Sequence, residues 1–203
     1  MTTTRLPALG RADRGIITAF LVIGVFGGGF IAGLGIVTGI FRVLDPSGAP
    51  IALLADIPLE RGAGIVEAHG DRLLVTPETL SAGPLWLLAI ADILLALTIG
   101  IVTASITFVL VRVLQRKLFH RTMQTALVAA GGTIAIGSLL HQGARGFGQA
   151  FAADELNPAL GGVATPGFEI SMIFPVLVGL GIVALAYVFR AGNRLQRETE
   201  GLV

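Results

Sequence analysis

Three ionisable side chains fall where a strongly apolar chain has little reason to keep them: Asp92, His141 and Glu169. Asp92 lies 20 residues before Arg112, His141 lies 20 after Arg121, and Glu169 lies 21 before Arg190. At a helical rise of ~1.5 Å per residue each separation is ~30 Å, the thickness of a bilayer's hydrocarbon layer. The counting therefore predicts an acid, an imidazole and a second acid at one level of a helical array, with Arg145 one turn above His141. Unpaired charge in hydrocarbon is expensive, so the four residues are expected to meet, Asp92 pairing with Arg145 or His141. Two readings stand open. The pair closes the array structurally, or the group responds to protons or cations, imidazole being the side chain that most readily changes charge near neutral pH. A lone histidine with two acids is a poor set of metal ligands, and no metal is expected.

Other chemistry is scarce. The chain has no cysteine and three histidines, His69, His120 and His141, which are too dispersed for a metal-ligand spacing. It contains no G-x-S-x-G, H-E-x-x-H or P-loop pattern, so no catalytic residue or cofactor is assigned and a non-enzymatic protein is expected. Gly27, Gly29 and Ala32 match a dinucleotide fingerprint by letter, but no strand precedes them and they lie inside an apolar run. Thr98, Thr103, Ser105 and Thr107 are the candidate lining of a polar path for a transported solute. Such hydroxyls equally bond to their own helix backbone.

The elements that must position these residues follow from hydropathy. Hydrophobic residues make up 54% of the 203-residue chain and charged residues 13%, about half the charge of a soluble protein. The apolar residues form four blocks, 15–41, 84–111, 122–140 and 170–189, each near the ~20 residues a transmembrane helix needs. The first has 27 uncharged residues, too long for a cleavable signal sequence, and is expected to be a retained anchor. The fold expected is an all-α integral membrane protein, a four-transmembrane-helix bundle with a small extracytoplasmic β-containing loop.

Charge orients it. The tail 1–14, the loop 112–121 and the tail 190–203 carry ten basic and three acidic residues, net +7. The segments 42–83 and 141–169 carry four basic and nine acidic residues, net −5. Excess Lys and Arg marks the cytoplasmic side, so both termini are expected inside a cytoplasmic (inner) membrane. Arg112, Arg116, Lys117, Arg121, Arg194 and Arg197 form the basic surface there, facing lipid headgroups or a cytoplasmic protein. With a formal net charge of +1 and no basic stripe, no direct nucleic-acid partner is expected.

Two connecting segments are long. Stretches at 51–57, 64–68 and 72–76, around His69-Gly70-Asp71, predict a small β-hairpin. Thr76-Pro77-Glu78 has the chemistry of a helix start, predicting a short surface helix ahead of the second span. The third span is expected to run on to about Ala153 and then break in a Gly- and Pro-rich segment, a re-entrant loop being the alternative. Gly24, Gly28, Gly29, Gly33, Gly35 and Gly39, with Ala96, Gly100 and Ala104, let helices approach closely, within the monomer or in a homodimer.

Phe189-Arg190, Gly192 and Leu195, followed by Glu200-Gly201-Leu202-Val203, together with four spans and a basic loop between the second and third, carry a resemblance. The chain resembles the bacterial membrane-protein family catalogued as domain of unknown function 2975. The resemblance implies a four-helix membrane protein without an established activity, encoded beside small helix-turn-helix regulators. It implies a sensing or regulatory protein that holds such a regulator, or another cytoplasmic protein, at its basic loop and tail. A small transporter or channel subunit is the rival expectation.

Overall fold

The computed structural model describes residues 10–45, 47, 49–58, 69–115, 121–167 and 173–200, and of residues 121 and 193–200 the backbone alone. Four helices are long and apolar enough to cross a membrane, the architecture of a multi-pass membrane protein: α1 (Arg11–Leu44), α2 (Ala82–Leu114), α3 (Arg121–Leu156) and α4 (Ile173–Glu200). Each exceeds the apolar block that announced it, because intrahelical hydrogen bonding does not stop where hydropathy falls. α3 ends at Leu156, three residues past the break expected near Ala153. α4 runs on through Arg190 to Glu200.

Inside α1 the five residues Gly24–Gly28, three of them glycine, form a π-helical segment without interrupting the helix. Lipid offers no alternative hydrogen-bond partner, so a glycine-rich run that would fray in water stays helical. Asp13 starts the helix, its carboxylate accepting a hydrogen bond from the Gly10 amide at 3.1 Å.

Small residues set the packing. A Cβ on Gly39 would lie 2.9 Å from Ile93 Cγ1 and 3.1 Å from the Ala89 carbonyl, and one on Gly35 would lie 3.0 Å from Ala96 Cβ. The ladder of Gly28, Ala32, Gly35 and Gly39 is thus spent on α2 within the monomer. Thr98 occupies the space a Cβ on Gly137 would take, and Leu88 abuts Gly148, which fixes α2 and α3 as antiparallel partners. Between α3 and α4 the backbones touch: a Cβ on Gly131 would lie 2.6 Å from the Gly179 carbonyl.

Each helix packs on the next in chain order, while among the described residues α1 and α4, and likewise α2 and α4, build no interface with each other. The helices form a row, with α2 and α3 at its middle. Phe26, Phe30 and Phe174 remain over 70% exposed, as side chains facing lipid would be.

At ~1.5 Å per residue α2 and α3 measure about 50 Å and 54 Å, well beyond the hydrocarbon thickness. One overhang carries a cap. Strands β1 (Ile51–Pro58) and β2 (His69–Val75) pair antiparallel, Ile51 opposite Val75 and Leu54 opposite Arg72, with an irregularity between Leu54 and Ile57. The other edge of β1 takes a short extended segment, Thr165 N–H donating to the Leu54 carbonyl at 2.9 Å and Asp56 N–H to that of Val163 at 3.1 Å. Ile51 and Leu53 bury themselves against Leu88 of α2, Ala152 and Ala153 of α3, and Ala164. Gln149 Nε2 donates to the Ala52 carbonyl at 2.7 Å, anchoring the strand to α3.

Three local expectations are corrected or left behind. The short helix at Thr76-Pro77-Glu78 does not form; residues 76–81 are irregular. That stretch must run from the end of β2 to the top of α2 while burying Pro77 and packing Leu80 beneath β1. The helix-start role passes to Ser81, whose amide donates to a Glu155 carboxylate oxygen at 2.8 Å. His69-Gly70-Asp71 belong to β2 itself, and 64–68 lies outside the described residues. After Leu156 the chain leaves α3 by a compact turn in place of a re-entrant loop: Asn157 Oδ1 accepts from Ala164 N–H, and Gly161 and Gly162 take φ of 69° and 84°. Such φ values favour glycine.

Candidate functional site

The site is built on the hairpin side of the apolar zone. Asp92 is there, but its partner is Arg42: Nε donates to Oδ2 at 3.1 Å, with the two side chains 17% and 18% exposed. The expected pairing of Asp92 with Arg145 or His141 is therefore corrected. His141 instead donates from Nδ1 to the carbonyl of Ala91 at 2.9 Å. Ala91 and Asp92 are consecutive, so the counted depth holds and the two polar groups share a level. The difference is azimuthal: successive residues turn by ~100° on a helix, so α2 presents Asp92 to α1 and offers the Ala91 carbonyl to α3. Glu169 lies outside the described residues.

Arg42 was missed because it was read as a loop residue. In the structure it occupies the last turn of the first helix. One signal was available: Gly35, Gly39 and Arg42 fall at i, i+4 and i+7 and so share the face that meets α2.

His141 and Arg145 meet elsewhere, in a cavity of about 520 Å³ bounded by α2, α3, the start of α4 and the overlying strands. Its polar lining includes Arg72 of β2 with Arg145, Gln142 and Gln149 of α3. Leu53 and Leu54 of β1 roof it, and Leu95, Ile134 and Pro175 form an apolar floor. Thr98 and Ser138 are polar residues of the deeper lining, yet their hydroxyls are turned to their own helices, donating to Leu94 at 2.8 Å and Ala135 at 3.2 Å. No acidic residue lines the cavity among the described residues. Because α2 and α4 both pack on α3 and not on each other, the cleft between them is where the cavity lies. Pro175 sits in the first described turn of α4.

The remaining hydroxyls of α2 do not continue this cavity as a path. Thr103 packs against Gly28 of α1, whereas Ser105 lines a separate void of about 90 Å³ toward α3. Thr107 is half-buried and lines neither. Of the basic surface, Arg112 is described with its guanidinium 5.0 Å from the Phe108 ring centroid. Arg116 and Lys117, and the side chains of Arg121, Arg194 and Arg197, lie outside the description. A hydrogen bond from His69 Nδ1 to Asp56 Oδ1 at 2.7 Å ties the two strands together in an exposed position.

No protein-family model, no curated protein and no solved structure matches this chain.

Proposed function

We propose that the chain is a non-enzymatic sensing protein of a bacterial cytoplasmic membrane, taking a ligand at its outer end and relaying its presence to a cytoplasmic partner. In this reading the hairpin cap is extracytoplasmic and both helical termini are cytoplasmic, an orientation supported by the +7 against −5 charge split. The observation that carries the proposal is the 520 Å³ cavity, a size common for small-molecule sites, framed by α2 and α3. The same two helices run on to the basic loop 112–121. A ligand that favours one packing of α2 on α3 therefore changes the spacing of their far ends. The resemblance to the domain of unknown function 2975 family agrees with a regulatory partner such as a helix-turn-helix protein.

Affinity purification of the tagged full-length chain from its native host tests the relay. A soluble protein is expected to accompany the intact chain and to be lost when residues 194–203 are deleted with the helices still inserted. Capture that is identical with and without the deletion refutes a partner on the tail. The rival, a small transporter, has the cavity in its favour and the divergent directions of Thr98, Thr103 and Ser105 against it.

A further inference from the structure

We infer that the cavity takes a neutral lipophile whose hydroxyl group donates a hydrogen bond to Nε2 of His141, its apolar body lying against Leu95 and Ile134. The inference rests on the sensing proposal for this cavity and names its ligand class.

Most hydrogens of the lining are already spent. The hydroxyls of Thr98 and Ser138 donate to their own helices, Gln149 Nε2 donates to the Ala52 carbonyl, and Arg72 and Gln142 have partners of their own. Arg145 is exposed, its charged end left to water. His141 differs, because it has an acceptor to offer. Its Nδ1 meets the Ala91 carbonyl at 2.9 Å, and a carbonyl only accepts, so this nitrogen carries the hydrogen. In a neutral imidazole the other nitrogen is then an acceptor.

Accessibility follows from satisfaction. Among the described residues every side-chain nitrogen or oxygen shut off from solvent is hydrogen-bonded, yet Nε2 of His141 takes no bond. Nε2 is therefore accessible, and the space beside it is the cavity that the half-buried ring lines. An apolar ligand entering there strips water from this acceptor and loses affinity unless it brings a donor. A hydroxyl brings one at small polar cost. An amide also brings a carbonyl, and an ammonium carries a charge that one neutral acceptor does not offset. Below this level the lining turns apolar. Leu95 lies four residues beyond Ala91 on α2 and Ile134 seven beyond His141 on antiparallel α3, ~6 Å and ~10 Å further from the cap. The volume of about 520 Å³ suits a ligand of drug-like size.

Titration calorimetry of the delipidated full-length chain in detergent, at about pH 8 where imidazole is normally neutral, tests this with decanol and decyl methyl ether, which differ in the O–H. Decanol is expected to bind about tenfold more tightly. His141→Asn keeps an amide N–H for the Ala91 carbonyl and lacks Nε2, so it should melt like the unaltered chain and bind the two probes alike. Both proteins meet the same micelles, so partition of the probes cancels in the comparison. If that variant melts lower, Ile134→Trp, which fills the cavity from its own wall, should exclude both probes; binding that persists there overturns the inference. Equal affinity for alcohol and ether in the unaltered chain overturns it too, as does an alcohol preference that survives in a folded His141→Asn chain. Tighter binding of decylamine or decanoate than of decanol refutes it by marking a cation or an anion site. Dioleoylglycerol separates the sources of the hydroxyl: binding that depends on His141 assigns the ligand to the bilayer, exclusion assigns it to a diffusible molecule, and either upholds the inference. The underlying proposal fails differently. Alcohol bound as expected, with no partner lost on deletion of 194–203, removes the relay and leaves the site; partner loss without alcohol preference does the reverse.

Discussion

The Arg42–Asp92 pair invites a quantitative test because it locks α1, which among the described residues packs on α2 and on no other span, to the rest of the row. The interaction is a single charge-assisted hydrogen bond at 3.1 Å between side chains less than one-fifth exposed. Exposed pairs contribute about 0–1 kcal/mol, and breaking a fully buried pair costs about 3–5 kcal/mol. At the hydrocarbon edge the loss should be intermediate, because a stranded Arg42 extends toward the headgroups and recovers part of its solvation. Asp92→Ala and Arg42→Ala are each expected to cost about 2 kcal/mol in reversible detergent unfolding. The double variant should cost little more than either, giving a coupling of about 1–2 kcal/mol. His141→Ala combined with Asp92→Ala should be additive within about 0.5 kcal/mol, since His141 bonds to a backbone carbonyl. A coupling under about 0.3 kcal/mol for Arg42 and Asp92, or a larger one for His141 and Asp92, would refute the assignment.

The glycine contacts predict a contrast measurable by thermal denaturation. Gly131→Val, whose Cβ would meet the Gly179 carbonyl at 2.6 Å, should separate α3 from α4 and cost more than about 2 kcal/mol, whereas Gly33→Ala, with nothing within 4 Å, should be neutral in the monomer. Gln149→Leu removes the amide that holds the Ala52 carbonyl and is expected to cost about 1 kcal/mol, read from the same melts. Glu155→Ala should accelerate hydrogen exchange at the first amides of α2 without altering the far ends of the helices, because the carboxylate holds the Ser81 amide at the positive end of that helix. For topology, a periplasm-active reporter joined after Gly167 should be active and one joined after Glu200 inactive; the opposite pattern inverts the orientation read from charge.

Hydropathy by itself determined four long helices, and residue counting placed Asp92 and His141 at one level, because helical rise is a local property that each segment obeys alone. The β-rich character of 51–57 was legible for a similar reason, as was the continuation of the third span to about Ala153. Direction around each helix axis was another matter. Asp92 met Arg42 because the Gly35 and Gly39 face draws α1 within backbone contact of α2, and no property of the segment around Asp92 encodes that. The Thr76-Pro77-Glu78 helix failed likewise: its local chemistry was sound, but burial of Pro77 and packing of Leu80 against the core cluster outweighed it. The cavity is wholly a tertiary product. Arg72 and Arg145 stand 73 positions apart in the chain, and only the docking of β1 over α3, with α2 and α4 packed on α3 and apart from each other, makes them line one space.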